Sequence, residues 1–191
     1  MLDILGIIFF TLSTLSLLGI FPIGIYEFLD LREGFAISDY GTLFETSTFF
    51  SISAIITGLL CGLDSITNPI YKKVNRLVYN YHALSSFALL GIGIFPLTGL
   101  PIWTPQRVFH WAFALTFLFV YPITRILIVK KLNKRYFPLI GGAYLLLCIG
   151  ALLVSIFTDF KSVAYPEYLL WIAILVSIVL GKLVILEKPV K

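Results

Sequence analysis

Six long apolar runs organise the chain, at about 4–26, 46–63, 77–97, 105–128, 137–157 and 166–186, separated by short polar or proline- and glycine-marked stretches. A helix needs roughly 20 apolar residues to cross the hydrocarbon of a bilayer, and each run is of that order. None shows the apolar–polar alternation of a membrane β-barrel strand. Lipid offers no partner for backbone polar groups, so helices are the spanning structure that remains. Thr104-Pro105 and Tyr165-Pro166 mark two helix starts, because proline at the first helical position gives up no donor that the helix uses. The pattern predicts an all-α integral membrane bundle of six transmembrane helices, one domain over residues 1–191.

Composition removes the alternative of a soluble domain. The chain is 59% apolar and 13% charged, against about 45–50% and about 25% in ordinary globular proteins. The charges then orient the bundle. Eleven cations fall on one side: Lys72, Lys73, Arg76, Arg125, Lys130, Lys131, Lys134, Arg135, Lys182, Lys188 and Lys191. Only Arg32, Arg107 and Lys161 fall on the other, while seven of the ten acids lie there. The positive-inside bias predicts that both termini are cytoplasmic, in a multi-pass protein of the cell membrane. The same cations are read as topology signals resting on anionic headgroups, so no nucleic-acid partner is expected.

Other classes fall away on residue type. Cys61 and Cys148 stand alone in separate apolar runs, with no CxxC pair and no disulfide framework. The Met1-Leu2-Asp3-Ile4-Leu5 start lacks a cationic segment, so the first run is read as a retained helix and not a removed signal peptide. Trp103, Tyr165, Tyr168 and Trp171 are expected as outer interfacial anchors.

Two packing signals stand out. Ala54, Gly58 and Gly62 recur every four residues along the second run, a small-residue ridge that lets helices approach closely. With Gly141-Gly142-Ala143 and Gly150 in the fifth run, such faces also offer contacts to membrane-protein partners. The first and third runs end in the same four residues, Gly19-Ile20-Phe21-Pro22 and Gly93-Ile94-Phe95-Pro96, and the fifth ends in Ser155-Ile156-Phe157-Thr158. Proline stops or kinks a helix, so irregular backbone is expected there at the outer leaflet.

Candidate chemistry is sparse. His82 and His110 lie near opposite faces of the membrane, too far apart to share a metal or haem, and no third ligand supports zinc. No metal or other cofactor is expected. His82, with Ser85 and Ser86, is read as an interior hydrogen bonder. His110 follows Arg107 by three residues, on one face of the first turns after Pro105. A helix N-terminus already welcomes an anion, so a cation placed there points to an anion opposite. Asp39 in the acidic first outer loop is one candidate, and a lipid phosphate is another.

The order Ile37-Ser38-Asp39-Tyr40-Gly41, the helix containing Gly58, Gly93-Ile94-Phe95-Pro96, and His110 with Ala114 and Phe117 resembles the multi-span family called domain of unknown function 998. A more distant likeness is to Frag1/DRAM-type lipid-associated membrane proteins. The resemblance covers the first four helices and departs at Tyr40 and at Leu97-Thr98-Gly99. It implies a fold and a site position but no reaction.

Three functions follow as expectations. The first is binding of an anionic lipid headgroup or similar amphiphile in an outer-facing pocket lined by Asp39, Phe95, Pro96, Arg107 and His110. The second is a structural or accessory subunit of a larger membrane complex, and the third a small-molecule transporter. No nucleotide loop, nucleophile elbow or acid-rich prenyltransferase motif is present, so no enzyme class is assigned.

Overall fold

A computed structural model describes residues 2–17, 44–96, 104–157 and 164–186, and every regular element among them is helical. In chain order these are α1 (Leu2–Leu17), α2 (Phe44–Thr67), a 3-10 turn (Tyr71–Lys73), α3 (Arg76–Ser86), α4 (Ala88–Ile94), α5 (Pro105–Leu115), a π turn (Thr116–Val120), α6 (Tyr121–Leu132), α7 (Phe137–Phe157) and α8 (Ala164–Leu186). Among the described residues, four helical stretches are long and apolar enough to cross a membrane: Ser47–Thr67, Arg76–Ile94, Pro105–Leu132 and Phe137–Phe157. The chain is thus an α-helical membrane protein. Shorter apolar helices lie at Leu2–Thr14 and Glu167–Gly181.

The boundaries differ from the sequence pattern where a polar side chain finds an internal partner. The second apolar run spans about 46–63, yet α2 continues through Asp64 to Thr67, because that carboxylate accepts the Leu2 N–H at 3.1 Å. The third run breaks at Phe87 (φ −84°, ψ −5°) between α3 and α4. Ser85 and Ser86 both donate to the His82 carbonyl there, which diverts the helical ladder. The fourth run extends to Leu132 and carries the π turn just before Pro122. Proline has no amide hydrogen and leaves the carbonyl four residues back without its helical donor. That carbonyl is Leu118, and the Tyr144 hydroxyl donates to it at 3.2 Å.

The small-residue ridge of α2 is an internal seam. A Cβ on Gly58 would lie 2.2 Å from the Leu90 backbone nitrogen, and one on Gly62 would lie 2.2 Å from the Phe87 ring. Close packing of this kind holds helices together where lipid supplies little hydrophobic force. On the other side, α1 packs on α2, with Thr57 donating to the Gly6 carbonyl at 2.9 Å. The second pair, α7 and α8, joins through α6. α7 is the peripheral member: 17% of its span is buried, against 44–50% for the other three spans.

The exposed cations Lys72, Lys73, Arg76, Lys130, Lys131, Lys134 and Arg135 gather where α3 and α7 begin and α6 ends. Trp171 is not an interfacial anchor. It is 7% exposed and packs between Phe10 and Phe117, with its indole N–H 3.3 Å from the Thr11 hydroxyl. Trp103 lies outside the described residues. The four-residue repeat does not confer a shared role on its aromatic members: Phe95 is half-buried, whereas Phe157 is 83% exposed.

Candidate functional site

The end of the bundle away from the cation cluster contains three of the five sequence-predicted residues in direct relation. Pro96 follows the end of α4, so the last carbonyls of that helix need partners from elsewhere. His110, in the second turn of α5, places Nδ1 2.7 Å from the Phe95 carbonyl oxygen, and Gln106 donates to the Pro96 carbonyl at 3.0 Å. The Phe95 ring lies 5.4 Å from that of Phe109 and stacks on Phe113 at 6.0 Å. Phe113 fits there because Gly91 has no side chain: a Cβ would stand 2.5 Å from its ring.

A carbonyl can only accept, so His110 carries hydrogen on Nδ1. In the neutral ring, Nε2 is then a hydrogen-bond acceptor. His110 is 1% exposed, and Nε2 has no hydrogen-bond partner among the described residues. Such buried polar atoms are rare and call for a cause. His110 lines a cavity of about 30 Å³ whose other walls include Phe10, Phe50, Phe117, Trp171 and the half-buried Glu167. A site needs roughly 10–15 Å³ to hold one water, so this one has room for a water-sized group and not for a whole headgroup. Arg107 is half-buried one turn before His110 and is not in the cavity wall. Asp39 lies outside the described residues.

The opposite end holds a polar cluster assembled from distant parts of the sequence. Arg125, counted above as a topology signal, is 3% exposed and pairs with Asp3 at 2.5 Å across 122 positions of sequence. The same Nη1 lies 3.1 Å from the Tyr71 hydroxyl and 3.4 Å from that of Tyr121. The Tyr71 oxygen is 3.2 Å from a carboxylate oxygen of Asp3 and 3.2 Å from one of Asp64. One phenolic proton serves one carboxylate at a time, so Tyr71 links the two acids to one guanidinium. The carboxylates also accept the Ile4 and Leu2 amides of α1, where a helix N-terminus favours negative charge.

His82 extends this cluster. Thr124 donates its hydroxyl hydrogen to the Tyr121 carbonyl at 2.9 Å, so its oxygen accepts from His82 Nδ1 at 3.1 Å. The imidazole packs against Tyr71 at 4.6 Å and stacks on Tyr121 at 5.3 Å. His82 is the interior hydrogen bonder expected of it.

Phe10, Phe50, Phe117 and Trp171 separate the two polar regions. The histidines therefore sit in different compartments. Among the described residues, no group of three or more His, Cys, Asp or Glu could hold a metal ion. One member of the Arg125 cluster carries a sequence signal. Arg125 is flanked on both sides by Ile, Leu, Val and Thr within an apolar run, and a charge in that position must face the bundle and find a partner. Identifying Asp3, Asp64 and Tyr71 as its partners required the fold. Compared with protein families, curated proteins and solved structures, the chain matches none.

Proposed function

We propose that this membrane protein spans the cell membrane six times with both termini in the cytoplasm, and that its outer end binds the head of an anionic phospholipid. The α1 and α8 segments supply the two remaining spans, and the gathering of exposed cations at one end supports the orientation. One observation carries the binding reading: His110, held through Nδ1 by the Phe95 carbonyl, keeps a buried Nε2 without a hydrogen-bond partner among the described residues, beside a cavity. The cavity takes a small donor such as a glycerol hydroxyl or an ammonium group. Arg107, one turn nearer the helix start, takes the phosphate together with the N-terminal dipole of α5. Pro96, beside Phe95 and bonded through its carbonyl to Gln106, stands at the mouth of the site. The resemblance to domain of unknown function 998 supports such a helical scaffold and adds no reaction.

Conservative variants separate ligand binding from folding. His110→Asn retains a donor near the Nδ1 position and removes Nε2, and Arg107→Gln removes the charge. Native mass spectrometry of protein taken from mixed bilayers should show wild type retaining phosphatidylglycerol over phosphatidylcholine. Both variants should lose most of that retention while melting near wild type. Unchanged retention in two well-folded variants would dismiss the outer site.

A further inference from the structure

The opposite end carries an apolar groove that is separate from the His110 cavity. A groove of about 440 Å³ runs between α6 and α7, with Ile126, Leu127, Phe137, Pro138, Gly142 and Tyr144 among its walls. Glycine creates it: a Cβ on Gly142 would meet nothing within 4 Å, and one on Gly141 nothing closer than 3.6 Å. Its wall is anchored at Tyr144, whose hydroxyl is committed to the Leu118 carbonyl. The lip is cationic. Lys130 Nζ stands 4.8 Å from the centre of the Phe137 ring, Arg135 lies over Tyr136 at 5.6 Å, and Lys131 in the last turn of α6 and Lys134 in the connection are exposed. From Tyr121 to Phe157 the chain has no acidic residue to neutralise them.

We propose that this groove seats one acyl chain of an anionic phospholipid, with the headgroup phosphate held by Lys130 and the Lys134–Arg135 turn. An apolar channel alone would accept any lipid. The cations at its rim select for negative charge, as basic clusters at a membrane surface do. The proposal rests on the membrane reading of the chain and not on the outer site.

The test uses the full chain in phosphatidylcholine nanodiscs with a trace of phospholipid bearing a photoactivatable acyl chain, as either the phosphatidylglycerol or the phosphatidylcholine analogue. Crosslinks are mapped by mass spectrometry. The phosphatidylglycerol analogue should label residues 123–145 several-fold more than its counterpart. The double variant Lys130→Gln/Lys134→Gln should abolish that preference. Gly142→Leu, which fills open space, should cut the labelling by both analogues, and His110→Asn should leave it unchanged. Equal labelling of wild type by the two analogues, or undiminished labelling in a folded Gly142→Leu protein, would overturn the proposal.

Discussion

His82 and His110 are each 1% exposed, yet they stand in opposite kinds of environment. His82 belongs to a network in which Thr124, Tyr121, Tyr71, Arg125 and two carboxylates all engage one another. His110 has one nitrogen bonded to a helix-end carbonyl and the other bonded to none of the described residues, beside a small cavity. Burial by itself does not distinguish a structural histidine from a binding one. Satisfaction does. A buried group with its partners in place has already recovered the cost of leaving water, whereas one without them gains from any ligand that supplies the missing bond.

The contrast predicts that substitutions in the Arg125 cluster act on stability and substitutions at the His110 cavity act on ligand retention. Arg125→Met should have the largest effect, because it leaves Asp3 buried without its guanidinium. Breaking a buried pair in this way costs about 3–5 kcal/mol. Thermal unfolding in nanodiscs would show it, and adding Asp3→Leu should recover much of the loss. An unchanged melting point for Arg125→Met would remove the inner cluster as a stabilising lock.

Tyr71→Phe comes next. It deletes the hydroxyl shared by Arg125, Asp3 and Asp64, and bonds to charged groups contribute about 1.5–3 kcal/mol each way of counting. His82→Phe should cost about 1 kcal/mol through the Thr124 bond and leave phospholipid retention intact. His110→Asn should do the reverse. If both histidine variants moved the same observable, the division between the two ends would fail. Tyr144→Phe should have the smallest effect of these. It leaves the Leu118 carbonyl beside Pro122 without its side-chain donor, and interhelical hydrogen bonds in membrane proteins average about 0.6 kcal/mol.

Much of the helical layout was legible in the apolar runs, and the fifth run coincides with α7 at Phe137–Phe157. The misplacements are instructive. α2 outruns its apolar run because Asp64, polar in the local sequence, finds its partners in Leu2 and Tyr71 only in the fold. Trp171 was placed at the interface because an aromatic near a helix start has that average preference, while the facing Phe10 and Phe117 had no signature in the local sequence. Of the five residues that the sequence pattern assigns to one site, the fold brings Phe95, Pro96 and His110 into direct relation and leaves Arg107 outside the cavity wall. The cavity beside His110 could not be read that way, since its walls come from α1, α2, α4, α5, the π turn and α8.

Hydropathy and charge, which are summed along the chain, suffice to determine that this is a helical membrane protein and which residues cluster as cations. They act locally, each helix facing the same lipid, so the pattern carries them without reference to neighbours. Tertiary structure alone decided that Arg125 is an internal ion-pair partner instead of a headgroup contact. It also decided that both sides of the His82 ring are engaged while His110 Nε2 has no hydrogen-bond partner among the described residues. Those distinctions depend on which side chains meet across tens of residues, and no one-dimensional spacing encodes a contact between Asp3 and Arg125.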